Sequence, residues 1–167
     1  MILTVEKLRE LLPSVKSSDD EIRAKLVSLE SLIRKYTNNN FQAQNFRTTG
    51  TIRDGELIFA DTRFFKDGDT FQISKSLYNE GLYVYGDEKS FYDEESVLIT
   101  KIIYPPDVVD GVVNLFKWDA ENRAKVGIKS ESLSRYSVTY YDLDANSTVG
   151  YPKGLMAFLT PYMKARF

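Results

Sequence analysis

Carboxylates are the side chains through which this chain could do acid–base chemistry, because its 167 residues include neither histidine nor cysteine. That composition excludes Ser-His-Asp and Cys-His nucleophiles, histidine- or thiolate-bound metals and disulfides. The densest acidic groups are Asp93-Glu94-Glu95 and Asp67 with Asp69. A catalytic pair needs one carboxyl raised in pKa by burial, and both groups fall in polar, turn-like stretches where solvent keeps them ionised. Asp67-Gly68-Asp69 has the spacing of the first calcium ligands of an EF-hand but lacks the further acids and the terminal glutamate. Lys129-Ser130 are neighbours whose side chains do not face each other, and no S-x-x-K spacing occurs. The glycine-rich phosphate loops G-x-x-x-x-G-K-[ST] and G-x-G-x-x-G are absent. The expectation is a non-enzymatic protein with no catalytic, cofactor-binding or metal-binding residues.

Aromatic side chains offer contact chemistry instead. They make up 13% of the chain, with eleven tyrosines, ten phenylalanines and one tryptophan, and they carry large contact areas in cores and interfaces. Tyr78, Tyr83, Tyr85 and Tyr92 could form a base-stacking platform. Yet residues 47–104, which contain them, hold seven Lys+Arg against eleven Asp+Glu, the wrong sign for a surface that displaces counterions from phosphates. A module recognising nucleic acid or peptide through exposed tyrosines, with Tyr83, Tyr85 and Tyr92 as its surface, is therefore the alternative to a protein-contact role. The flanks are nearly neutral: seven basic against six acidic residues in 1–46, and eight against seven in 105–167.

The elements that must position these residues are readable from periodicity. Thr4 caps a short helix with Val5, Leu8, Leu11 and Leu12 at helical spacing, stopped by Pro13. Ser18 and Glu21 form a capping box, and Ile22, Leu26, Leu29, Ile33 and Tyr36 make one stripe of a longer helix that frays at Asn38-Asn39-Asn40. From about Arg47 the period alternates. Asp54-Gly55 predicts a hairpin, Phe71 and Ile73 share a strand face, and Leu82 and Val84 oppose Tyr83 and Tyr85. With separate runs Ser96 to Thr100 and Lys101 to Tyr104, five or six short strands suggest a small closed or nearly closed barrel. Pro106 opens a helix with Val109, Val113, Phe116 and Ala120 on one face, and Gly127 marks its exit. A polar stretch Lys129 to Ser134 precedes alternating Tyr136, Val138 and Tyr140. Pro152 opens a last helical segment with Leu155, Phe158, Leu159 and Tyr162, in which Pro161 kinks or restarts the helix.

The expected fold class is thus α+β: a small α-helical bundle, residues 1–46 and 105–167, with an inserted antiparallel β-barrel of SH3-like or similar type, residues 47–104. No apolar run approaches the about 20 residues of a membrane span, and Met1 to Glu10 carries charges unlike a signal peptide, so synthesis in a cytoplasm without membrane association is expected.

Three segments resemble the head-tail connector, or adaptor, proteins of tailed phages. Asp19-Asp20-Glu21-Ile22 leading into a helix that ends Tyr36-Thr37-Asn38-Asn39-Asn40-Phe41 resembles their opening. Gly127 to Tyr140 is similar to their "SE-x-x-G-x-Y-S-v-x-Y" signature, with Ser134 where many relatives have glycine. Leu159-Thr160-Pro161-Tyr162 resembles their closing "L-x-P-Y-[RK]" helix. In the insert, Gly68-Asp69 and Asn79-Glu80-Gly81-Leu82-Tyr83 are similar to a "GD-x-I…N-x-G-x-Y" pattern of small phage barrels.

The resemblance implies a virion protein at the head-tail interface, made in the host cytoplasm. It would dock on the portal protein as a ring of about twelve copies built from repeated heterologous contacts, while remaining a monomer in isolation. It would extend the DNA channel, pass DNA without sequence-specific binding, and carry a neck, stopper or tail-completion protein. The expected portal and ring interface is Leu159, Tyr162, Met163, Lys164, Arg166 and Phe167, because helix-end aromatics with cations have hot-spot chemistry. Ser130, Glu131, Arg135 and Tyr136 are the expected assembly segment.

Overall fold

The structure is a computed structural model that describes residues 1–122, 130–133, 136–139 and 147–165. Helix α1 (Val5–Leu11) is capped by the Thr4 hydroxyl, and α2 (Asp19–Thr37) by a reciprocal Ser18–Glu21 box. The Glu21 amide donates to Ser18 Oγ at 3.3 Å, and the Ser18 amide donates to the Glu21 carboxylate at 2.9 Å, satisfying two of the orphan donors at the helix start. Ile22, Leu26, Leu29 and Ile33 are all buried, as their spacing requires. The asparagines after α2 do not fray. Asn38 closes the helix at φ 50°, ψ 36°, a left-handed cap that asparagine tolerates, and its amide donates to Arg34. Asn39 is buried, donating from Nδ2 to the Tyr162 carbonyl and accepting from the Phe41 amide.

A five-stranded antiparallel sheet follows: β1 (Gln42–Arg53), β2 (Glu56–Phe59), β3 (Thr70–Ser74), β4 (Gly81–Val84) and β5 (Glu94–Ile102), in spatial order β2-β1-β5-β3-β4. β1 begins at Gln42, ahead of the change in period at Arg47. Asp54 and Gly55, at φ 53° and 78°, make the two-residue turn that joins β1 to β2. The two runs read at Ser96–Thr100 and Lys101–Tyr104 are one strand, β5, since no turn residue separates them. β1 shifts register against β5 between Gln42 and Arg47 and again between Gly50 and Ile52. Such bulges bend a strand, and here they curl the sheet into a half-barrel. β2 and β4 remain its two edges with no hydrogen-bonded ladder between them, so of the closed or nearly closed barrel expected from the strand lengths the sheet forms a half-barrel that is open at this seam.

The sheet has two apolar faces. One encloses Ile52, Phe65, Phe71, Ile73, Val97 and Ile99, with Phe59, Tyr83, Tyr85 and Phe91 packed around them. Phe59 lies 5.1 Å and 5.3 Å from Phe65 and Phe71 in edge-on contacts, and Phe65 stacks on Tyr85 at 5.4 Å. The other face gives Ile102 and Leu82 to the helical core. Leu82 and Tyr83 thus point to opposite cores, as their alternation implies.

Helix α3 (Pro106–Asn122) buries Val108, Gly111, Val112, Val113, Leu115 and Phe116. Its apolar arc is broader than the single face expected, and Ala120 lies exposed outside it, because α3 packs on more than one neighbour. Short ladders β6 (Ser130–Leu133) with β7 (Tyr136–Thr139), and β8 (Ser147–Thr148) with β9 (Tyr151–Pro152), precede α4 (Lys153–Met156) and a 3₁₀ segment, Ala157–Tyr162, containing Pro161.

Gly111 admits the last segment against α3: a Cβ there would sit 2.4 Å from the Phe158 ring. Alanine gains about 1 kcal/mol of helix propensity, but overpacking a core costs about 1–3 kcal/mol. We therefore expect Gly111→Ala to lower stability in urea denaturation, and expect the same change in a Phe158→Leu background to be neutral or stabilising.

Candidate functional site

The last described segment is tied down along its length. Leu159 is fully buried, so it belongs to the core and not to an interface. The Tyr162 hydroxyl donates to the Asp107 carboxylate at 2.7 Å, a bond that raises the phenol pKa, and its ring lies 5.8 Å from Phe41. The Lys164 amide donates to the Thr37 carbonyl at 2.8 Å, and Asn38 Nδ2 donates to the Ala165 carbonyl at 2.9 Å. Packing holds the segment across the end of α2 and leaves Met163 and Lys164 at the surface. Arg166 and Phe167 lie outside the described residues.

Residues 130–133, read as a polar stretch, form a strand. β6 and β7 pair Ser130 with Thr139, Glu131 with Val138 and Leu133 with Tyr136, so the two described parts of the segment with the most specific signature form an antiparallel ladder. Arg135 lies outside the described residues.

The four tyrosines divide into two pairs. Tyr83 and Tyr85 are half-buried against the phenylalanines of the sheet, and burial raises the Tyr83 phenol pKa. With Phe59, Phe71 and Phe91 they line a cleft of about 1030 Å³ between β2 and β4, where Lys89 Nζ stands 4.6 Å from the Tyr83 ring centre. They are therefore not members of an exposed stacking platform: Tyr83 on β4 and Tyr85 just beyond it both face the interior of the curled sheet. Tyr78 and Tyr92 are 68% and 71% exposed with ring centres 5.9 Å apart, and beside them Leu77 is 85% exposed.

This apolar tip is built on a rigid base. Glu94 accepts from the Ser76 hydroxyl, from the Leu77 amide at 2.7 Å and from Asn79 Nδ2 at 2.6 Å. Asn79, only 3% exposed, also donates to the Tyr92 carbonyl at 2.8 Å and accepts from the Tyr92 amide at 2.9 Å. Its own amide donates to Ser76 Oγ at 2.6 Å, and its carbonyl accepts from the Tyr83 hydroxyl at 2.9 Å. The loop between β3 and β4 is thereby bolted to the segment before β5. Hydrogen bonds from Ser76 and the Leu77 amide hold the Glu94 carboxyl below the usual carboxylate range.

Glu94 and Glu95 open strand β5 and do not lie in a turn as expected, while Asp93 and Asp69 are engaged in turns. Asp93 accepts from the Gly55 amide at 3.0 Å, and Asp69 pairs with Lys101 and accepts from the Lys66 amide at 2.8 Å. Among the described residues no three carboxylates converge as metal ligands. Leu77, and the Ser76–Asn79–Glu94 clamp beneath it, escaped the sequence reading. The spacing of serine three residues before asparagine was the available signal for a side-chain-capped turn.

No protein-family model matches the chain, and no curated protein matches it significantly.

Because the folded carboxyl of Glu94 titrates below its ordinary value of 4.5, its contribution to stability is present above that pH and is lost as pH falls through the folded pKa. Glu94→Gln removes the contribution at every pH. The expected result is a urea midpoint below wild type at pH 7, with the gap shrinking as pH drops below 4.5.

Proposed function

We propose that this chain is a non-enzymatic head-tail connector of a tailed phage. It docks on the portal protein, forms a ring of about twelve copies by repeated heterologous contacts, extends the DNA channel and carries the next neck, stopper or tail-completion protein. The likeness of the three segments to connector proteins is the starting point. The observation that carries the reading is the anchoring of Leu159–Ala165 across the end of α2. It supports a docking role by presenting Met163, 51% exposed, and Lys164 from a fixed backbone. We retain the SH3-like reading of the half-barrel on its short strands and strongly bent first strand.

Contact and shape do the work in this reading. An apolar side chain beside a cation, held on an ordered backbone, loses little entropy on docking. The acidic balance of residues 47–104 disfavours phosphate binding, which suits a part that must let DNA slide past. No helix among the described residues is long and apolar enough to cross a membrane. A second reading, a module that stacks single-stranded nucleic acid or a peptide, is favoured by the exposed Tyr78 and Tyr92 pair alone.

Mixed with candidate portal rings and imaged by negative-stain electron microscopy, the protein should add a second ring, and Met163→Glu with Lys164→Glu should abolish the addition. Absence of any added density with the wild-type chain contradicts the proposal. A gel shift with single-stranded DNA at low salt separates the second reading: the connector gives no tight shift, whereas the module gives one that Tyr78→Ala with Tyr92→Ala removes.

A further inference from the structure

Two unusual surfaces lie apart on this chain. The first is the tip formed by Leu77, Tyr78 and Tyr92, whose exposed neighbours include Glu80 and Asp93. Large apolar side chains this exposed are ordinary when scattered, but here Leu77 and Tyr78 on the β3–β4 loop stand beside Tyr92 on the segment before β5, the two held together by a buried asparagine and a three-fold hydrogen-bonded carboxylate. A fixed backbone under exposed aromatics is what a contact surface needs, because the ordering entropy has been spent in folding.

The second surface runs along α2. Val27, 51% exposed, stands between two open clefts. One, of about 660 Å³, is lined by Leu32, Lys35, Tyr36 and Val149, the last 56% exposed. The other, of about 490 Å³, is lined by Arg34, Lys35, Asn38 and Leu82. The nearest acid of the helix, Glu30, is buried and accepts the Tyr104 hydroxyl at 2.6 Å. This surface is apolar with a cationic rim, and the tip is apolar with carboxylates beside it.

The tip does not occupy the groove of its own chain: Leu77, Tyr78 and Tyr92 stand 85%, 68% and 71% exposed on a backbone held by the Asn79 and Glu94 hydrogen bonds. We infer that the Leu77–Tyr78–Tyr92 tip of one copy seats in the α2 groove of the next copy, with Glu80 and Asp93 toward Arg34 and Lys35. Two different, complementary patches on one chain make a heterologous contact, which closes a ring when the rotation per copy divides a full turn. The inference rests on the connector reading and names the contact that builds its ring.

The absence of cysteine provides a clean background for cross-linking. Lys75→Cys with Ser28→Cys places one thiol beside the tip and one beside the groove, both at exposed positions. On portal rings a short bismaleimide should then join copies into a ladder of multimers, with neither single variant giving more than dimers. Leu77→Ala with Tyr78→Ala should raise the concentration for half-assembly about ten-fold or more, with an unchanged urea midpoint. Arg34→Glu with Lys35→Glu should weaken assembly similarly, and Glu80→Lys with Asp93→Lys should restore part of it. Rings that form normally on the portal without the ladder, and are indifferent to these variants, overturn the inference while leaving the connector reading intact. Failure of the wild-type chain to form a ring on any portal overturns the connector reading itself.

Discussion

The two-faced burial of the sheet is the constraint on which the rest of the structure depends. Burying an apolar side chain is worth about 1.5–3 kcal/mol, and β4 and β5 do so on both sides. Val97 and Ile99 point into the aromatic interior of the half-barrel, while Leu82 and Ile102 join the core made by α1, α2, α3 and the last segment. A one-residue slip of either strand would exchange these faces and expose both sets. The register is therefore fixed, and with it the direction in which the β3–β4 loop leaves the body.

From that constraint the surface follows. The end of the β3–β4 hairpin at Thr70 and Val84 lies beside α2, and the opposite end, beyond Ile73 and Gly81, carries Leu77 and Tyr78. An unsupported loop tip would lose much of its contact energy to ordering. Asn79 and Glu94 remove that loss by tying the tip to the Tyr92 backbone. At the other end of the molecule the Asn38–Asn39 cap does the same for Met163 and Lys164, through Tyr162 and Ala165. Both candidate contact regions share one design: exposed apolar side chains on a backbone held by buried or capped amides.

Much of this fold was legible in the sequence where a single local rule decides the outcome. The Ser18–Glu21 box, the Asp54-Gly55 turn, the stripe from Ile22 to Ile33 and the opposed faces of Leu82 and Tyr83 each depend on residues a few positions apart. Legibility failed where distant residues decide. Asn39 looks like a fraying residue until Tyr162 accepts its side chain, and Leu159 looks like a helix-end contact until the bundle closes over it. Tyr83 and Tyr85 look like a surface until the bulges in β1 curl the sheet around them. The Leu77 tip depends on Glu94, many residues downstream, and no local pattern announces that partnership.

The central claim is that assembly buries the β3–β4 tip of one copy against α2 of the next. Hydrogen–deuterium exchange of the chain, alone and after assembly on its portal, tests this most directly. The account predicts new protection at residues 74–81 and 24–36 together with the last segment. Protection confined to the last segment, in a fully assembled ring, would contradict it.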